Sequence, residues 1–143
     1  MDLFTAMKIS GSGMSLQRTR MNAISSNLAN VNTTRTPEGG PYRKKMVVAE
    51  ATPVKEGSFS QTLDGAIRDV RVVEVKDDKS APRMVYDPSH PDADENGYVA
   101  TPNVNVMEEM LDMINASRSF EANAAAVNTA KTMAQRALEI GQR

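Results

Sequence analysis

Apolar residues recur at alternating steps of three and four at both ends of the chain, and in short alternating runs between them. In the N-terminal stretch, Leu3, Met7, Met14, Met21, Ile24, Leu28 and Val31 form a heptad line once Ser10 and Gln17 are admitted as its polar members. Val106, Met110, Met113, Ser117, Phe120, Ala124 and Val127 repeat it in the C-terminal stretch, drifting afterwards to Ala130, Ala134 and Leu138. All seven prolines lie between Pro37 and Pro102, so neither end contains the strongest helix breaker. Both ends are expected to be helical, the second from about Val104 to Gly141, roughly 55 Å at 1.5 Å per residue. The weak point of the first is Ser10-Gly11-Ser12-Gly13. Each glycine costs about 1 kcal/mol against alanine inside a helix, so the first turns are expected to form a separate piece ahead of a helix from Met14 to about Val31.

Between the helices, 43–51, 68–76, 83–86 and 98–100 are short runs with Val, Met and Tyr, bounded by Pro, Gly, Asp and Ser, which predict short antiparallel strands. The expected fold is mainly α: two long terminal helices pairing as a coiled coil, with a small antiparallel β or irregular middle. The expected division is a helix over 1–31, a β and loop region over 32–102, and a second helix over 103–143.

Composition changes where the helices are expected to find their core. Leu, Ile, Val and Phe supply 27 of 143 residues, under a fifth, while Ala contributes 17 and Met 10. Such narrow stripes suit close contact among several helices. The stripes lie at opposite ends of the chain and the middle is too small to cover them, so the seam is expected to lie between chains, with order that depends on neighbours. With 17 basic and 18 acidic residues the net charge is −1, and no global field points to nucleic acid. No run approaches the roughly 20 apolar residues of a membrane span, so no membrane insertion is expected. The start, Met1-Asp2-Leu3-Phe4, lacks the basic and apolar regions of a secretory signal, so the chain is expected to stay in the cytosol or to leave by a route that reads no cleavable signal.

Candidate chemistry is sparse. The chain has no cysteine, which excludes disulfides, thiolate metal sites and cysteine nucleophiles. Asp92, Asp94, Asn96 and Gly97 match the first half of a calcium loop, but the twelfth position is Asn103 instead of a bidentate Glu, and prolines on both sides forbid an entering helix. An acidic solvated turn is the better reading. His90 is the one histidine, and it sits in a Pro-rich loop without the context of a triad or a zinc helix. Arg43-Lys44-Lys45 is read as a charged guard on a strand edge, and Pro37-Glu38-Gly39-Gly40-Pro41 as a turn lacking the spacing of a phosphate loop. No enzyme, cofactor or metal is expected. The rivals to a structural reading are a cytosolic coiled-coil adaptor or assembly protein and, more remotely, an enzyme built on His90 and the nearby carboxylates.

Ser25-Ser26-Asn27-Leu28-Ala29-Asn30-Val31-Asn32-Thr33 resembles the N-terminal signature of bacterial flagellar rod and hook axial proteins. Asn103-Val104-Asn105-Val106-Met107-Glu108-Glu109-Met110, followed by Asn115-Ala116-Ser117-Arg118-Ser119-Phe120-Glu121-Ala122-Asn123, is similar to that family's C-terminal segment. Larger members continue the first motif with Thr-x-Gly and an aromatic. Here Thr34 to Tyr42 intervenes, which resembles the proximal-rod members, as does Tyr86 to Asp94 ahead of Gly97-Tyr98-Val99. The resemblance covers nearly the whole chain.

It implies a non-catalytic axial subunit whose terminal helices build an inner core, while the middle makes outer contacts. Copies of itself, other proximal and distal rod proteins, the basal adaptor and the flagellar type III export apparatus are the implied partners, with the surrounding basal-body rings as a further contact. The implied location is the rod spanning the periplasm, reached without a cleaved peptide, where the shaft carries motor torque to the hook. Asn27, Asn30, Asn32, Asn103 and Asn105 are expected either to cap helix ends or to bridge subunits. Leu28→Asp or Phe120→Asp is expected to prevent rod assembly and leave export intact; a swimming mutant would sink the seam.

Overall fold

A computed structural model of the chain describes residues 3–53 and 68–141; the stretch 54–67 of the expected middle region lies outside the described residues. In chain order the elements are α1 (Leu3–Ala29), β1 (Lys45–Pro53), β2 (Arg68–Asp77), β3 (Arg83–Tyr86), β4 (Tyr98–Thr101) and α2 (Val106–Gly141). The two helices take up 27 and 36 residues. The strands form two antiparallel pairs, β1 with β2 and β3 with β4. The architecture is therefore two helices, about half of the described residues, with a small antiparallel β region, less helical than the mainly α fold expected.

The expected break at Ser10–Gly13 is absent: α1 is one continuous helix through both glycines. The compensation is local and tertiary. Ser12 Oγ donates to Ile9 O at 2.8 Å and accepts from Val70 N of β2 at 3.2 Å. Lys8 pairs with Asp69 at 3.4 Å, and Thr52 donates to the same carboxylate. Sheet contacts thus hold the segment that glycine weakens. The Thr52 hydroxyl, ahead of Lys8, holds the Asp69 carboxyl below its ordinary range.

Gly13 has its own reason. A Cβ there would meet the Asn123 side chain at 3.0–3.2 Å, so glycine sets how closely α1 approaches α2. Gly11, two residues away, faces open space. Gly11→Ala should therefore stabilise the isolated subunit by about 0.5–1 kcal/mol, read as a higher urea midpoint at unchanged slope.

α1 and α2 run antiparallel, as two contacts require: Asn27 meets Glu109, and Gly13 meets Asn123. On α1 the buried positions are Leu16, Ala23, Ile24 and Asn27; on α2 they are Glu109, Ala116 and Ala130. Asn105 caps α2, its Oδ1 accepting from Met107 N at 3.1 Å. β1 and β2 pack against α1, with a bulge between Val48 and Ala49. In the second hairpin Val99 is buried, and Tyr86 stacks edge-on against Tyr98 at 5.3 Å. Gly97 takes a φ of +80° where a Cβ would meet the Tyr86 ring at 3.0 Å, so conformation and space both demand glycine.

Candidate assembly interface

The family-type motif residues of the end of α1 and the start of α2 gather at one end of the helix pair around a buried polar latch, whereas Phe120, Glu121 and Asn123 lie further along α2, Asn123 against Gly13. Asn27 and Glu109 are each 1% exposed. The Asn27 amide nitrogen donates to Glu109 Oε2 at 2.9 Å and to Lys45 O at 3.1 Å. Its Oδ1 accepts from Lys45 N at 2.8 Å and from the Tyr42 hydroxyl at 3.0 Å. All four hydrogen-bonding positions of the amide are thus used, as a buried amide requires. Glu109 Oε1 is paired with Lys44 Nζ at 2.7 Å, and Ser26 Oγ lies 3.0 Å from the Tyr42 hydroxyl. The latch joins the end of α1, the start of β1 and the first turn of α2.

The other asparagines divide between capping and bracing. Asn30 donates to Ser26 O at 2.9 Å and accepts from the Thr33 hydroxyl at 3.2 Å, closing the end of α1. Asn103 donates to Ser80 Oγ, and Asn123 to Ser119 O. Asn32 and Ala29 are exposed, as are Glu108 and Glu121, the latter 3.5 Å from Ser117 Oγ. Tyr42 and Lys44 are the latch residues that sequence reasoning missed. Lys44 was read as an edge guard, and the usable signal was a Glu-Glu pair in a first helical turn with a basic triplet elsewhere.

The Glu109 hydrogen bond, ahead of the opposing effect of burial, raises the Lys44 ammonium above the ordinary lysine value. A raised lysine contributes stability that is fully present below its unfolded value, about 10.4, and is lost as pH rises through the folded one. The urea midpoint of the wild-type subunit should therefore fall above about pH 10 by more than that of a Lys44→Met variant over the same range. Equal slopes would remove Lys44 from the account.

Beside the latch, a cleft of about 400 Å³ opens between the helices and the start of β1, lined among others by Gln17, Arg20, Asp112, Asn115 and Ser119. Gln17 Oε1 is buried there without a hydrogen-bond partner. In the acidic loop, Asp94 Oδ1 accepts from Asn96 N and Tyr98 N, and Asp92 accepts from the Thr34 hydroxyl at 2.7 Å. These carboxylates shape turns and tie the loop to the end of α1. Among the described residues, no group of three or more His, Asp and Glu side chains is placed to hold a metal ion, and no helix is long and apolar enough to cross a membrane.

The apolar lines marked in the sequence lie on the flank of the helix pair. Leu3, Met7, Met14, Met21, Leu28 and Val31 are half-buried, whereas Ile24 is fully covered. At about 100° per residue, the Met7–Met14–Met21 line sits on average roughly 140° round α1 from Lys8 and Ser12, the residues that meet β2. On α2, Met113, Phe120, Ala124 and Val127 are half-buried, while Val106, Met110 and Leu138 are 41%, 50% and 69% exposed. The antiparallel register turns the Val106, Met110 and Ala124 line to the same strand-free side of the pair. One uncharged stripe of Met, Leu, Val and Ala, drawn from both helices, is thus left partly open to solvent.

Two family descriptions match this chain. "Flagella basal body rod protein" covers residues 7–35, and "Flagellar basal body rod FlgEFG protein C-terminal" covers residues 95–140, so between them they take in most of both helices. The class they define is the flagellar basal-body rod proteins. Over 99% of its length the chain is 44% identical to the flagellar basal-body rod protein FlgC of Borreliella burgdorferi, covering 99% of that relative. It is 41% identical to FlgC of Bacillus subtilis and 39% to FlgC of Salmonella typhimurium, covering 100% of each. The chain belongs to the FlgC family of flagellar basal-body rod proteins.

Proposed function

We propose that this chain is a structural, non-catalytic subunit of the flagellar proximal rod. The observation that carries the reading is the open stripe shared by α1 and α2: a folded monomer leaves apolar surface from both helices half-covered, as expected of a helix that completes its core against neighbours. In this reading 1–31 and 103–143 pair with copies and other rod proteins as coiled coils in an inner core, and 32–102 faces outward. The shaft so built carries torque from the motor to the hook. The subunit reaches the rod, which spans the periplasm, through the flagellar type III apparatus. Its neighbours are proximal and distal rod proteins, the basal adaptor and the surrounding rings.

Peptide mass spectrometry on purified hook and basal-body particles, with cytosolic and periplasmic fractions beside them, tests this. Enrichment at a few copies per particle is the expected result. Absence from particles with abundance in the cytosol would overturn it.

A further inference from the structure

Among the described elements, α2 packs against α1 and against no strand. The hairpin that leads into it, β3 with β4, in turn packs against no other helix or strand. No strand therefore fixes how far along α1 the second helix lies, and the choice falls to contacts at the helix pair itself.

Directional contacts there are few. Among the described residues, Asn27 to Glu109 is the one side-chain hydrogen bond between the helices. Asn27 stands opposite Glu109 and Gly13 opposite Asn123, the same spacing along both helices, so this register also brings Ala6 level with Ala130. The line of α2 that meets α1 reads Glu109, Ala116, Asn123 and Ala130 at heptad spacing and continues to Ala137. A slide of one heptad, about 10 Å at 1.5 Å per residue, would set Gly13 against Ala116 or Ala130. Either is smaller than Asn123, whose side chain already stands 3.0–3.2 Å from a Cβ at Gly13, so packing at this crossing does not oppose the slide.

The latch does oppose it. Slid one way, Glu109 passes the end of α1. Slid the other, it comes level with Arg20, which could replace Lys44 but leaves Asn27 facing Pro102. Both slides give up the Asn27 bond at 2.9 Å and the Lys44 pair at 2.7 Å, made by a carboxylate only 1% exposed.

We infer that the latch sets the register of α2 on α1: the Asn27–Glu109 bond, with Lys44 behind it, selects one alignment from several that packing would accept, as a single buried polar position does in a coiled coil. Asn27 and Glu109 are positioning residues. At 1% exposure neither reaches a neighbouring subunit; they hold the α1 and α2 halves of the open stripe level with each other. That consequence for assembly rests on the rod-subunit reading, whereas the register is a property of the single chain.

The chain has no native cysteine, so thiol pairs read the register directly. Ala6→Cys is combined in three chains with Ala130→Cys, which marks the observed register, or with Asn123→Cys or Ala137→Cys, which mark slides of one heptad in either direction. A disulfide does not span an offset of about 10 Å. On mild oxidation of the dilute subunit only the 6–130 pair should close while the latch is intact. The three pairs are then read in two backgrounds. Lys44→Met with Glu109→Gln keeps an acceptor for the Asn27 amide and should still close 6–130 alone. Lys44→Met with Glu109→Leu removes that acceptor while Asn27 keeps its bonds to Lys45 and Tyr42. There, 6–130 closure should fall several-fold and 6–123 or 6–137 closure should rise to match, at unchanged helix content by circular dichroism. Closure of 6–130 alone in a folded Glu109→Leu background would show that packing sets the register and overturn the inference. Loss of folding in that background would make the latch a matter of stability alone and overturn it equally. Absence of the wild-type subunit from purified basal-body particles would instead reject the rod reading and leave the register result standing.

Discussion

Lys44→Met should lower the stability of the isolated subunit by about 3 kcal/mol, a fall in melting temperature of roughly 10 °C. The reason lies in what remains. Glu109 is 1% exposed, and without the ammonium its carboxylate keeps only the Asn27 amide as a donor. Removing one member of a buried pair leaves the other charge desolvated and uncompensated, which typically costs 3–5 kcal/mol; the partial exposure of Lys44 puts this case at the lower end. Lys44→Met with Glu109→Gln should recover most of the loss, because a neutral amide at 109 still accepts from Asn27. Urea unfolding followed by circular dichroism reads all three proteins. A double variant as unstable as Lys44→Met would show that lost packing, and not the stranded charge, sets the cost.

The second large effect falls on assembly and spares the fold. Met110 is half-exposed on the open stripe, so Met110→Asp should change monomer stability by less than about 1 kcal/mol. In an assembled rod the same side chain would be covered. Burying a methionine contributes about 1.5–3 kcal/mol, and an unpaired carboxylate in its place reverses the sign at every equivalent contact. The expected outcome is a non-motile strain with no rod in purified particles and the subunit still present in the exported fraction. Normal swimming would reject the stripe as an interface. Phe120→Asp is a less clean probe, because Phe120 is half-buried beside α1 in the single chain and its loss also strikes the fold. Met110 separates the two effects.

Much of the architecture was legible in the order of residues. The strand windows 43–51, 68–76, 83–86 and 98–100 fall on strands observed at 45–53, 68–77, 83–86 and 98–101. Alternation and turn residues are local properties, and hairpins need little else. α2 was legible for the same reason, from its steps of three and four and the absence of proline after Pro102, and the structure shows Asn105 capping its start. Gly11 and Gly13 misled because propensity counts the backbone cost of glycine but not the β2 contacts at Lys8 and Ser12 that repay it.

The site was only half legible. Asn27 and Glu109 stand in the motifs that resemble the family, but their partners Tyr42 and Lys44 come from a loop and a strand start whose sequence reads as surface. A hydrogen-bonded network between distant segments has no period. The same limit applies to the faces of α2. Val106, Met107, Met110, Leu111, Met113 and Ile114 spread over an arc of about 160° that leaves out Glu109 and Ala116, so spacing shows a helix that must be covered without showing that α1 meets it on the Glu109 side.

By itself, then, the sequence determined that two terminal helices flank four short strands, that the helices carry apolar stripes too thin for a private core, and that the chain is of the rod type; each follows from short-range pattern or from motif. Tertiary structure alone decided that α1 stays whole through its glycines and that Glu109 is held by Lys44. It also decided that α2 meets α1 along the Glu109, Ala116 and Ala130 line, leaving its remaining apolar surface outward. Those outcomes depend on which surfaces exclude water from which others, and that is a property of three-dimensional packing, not of spacing along the chain.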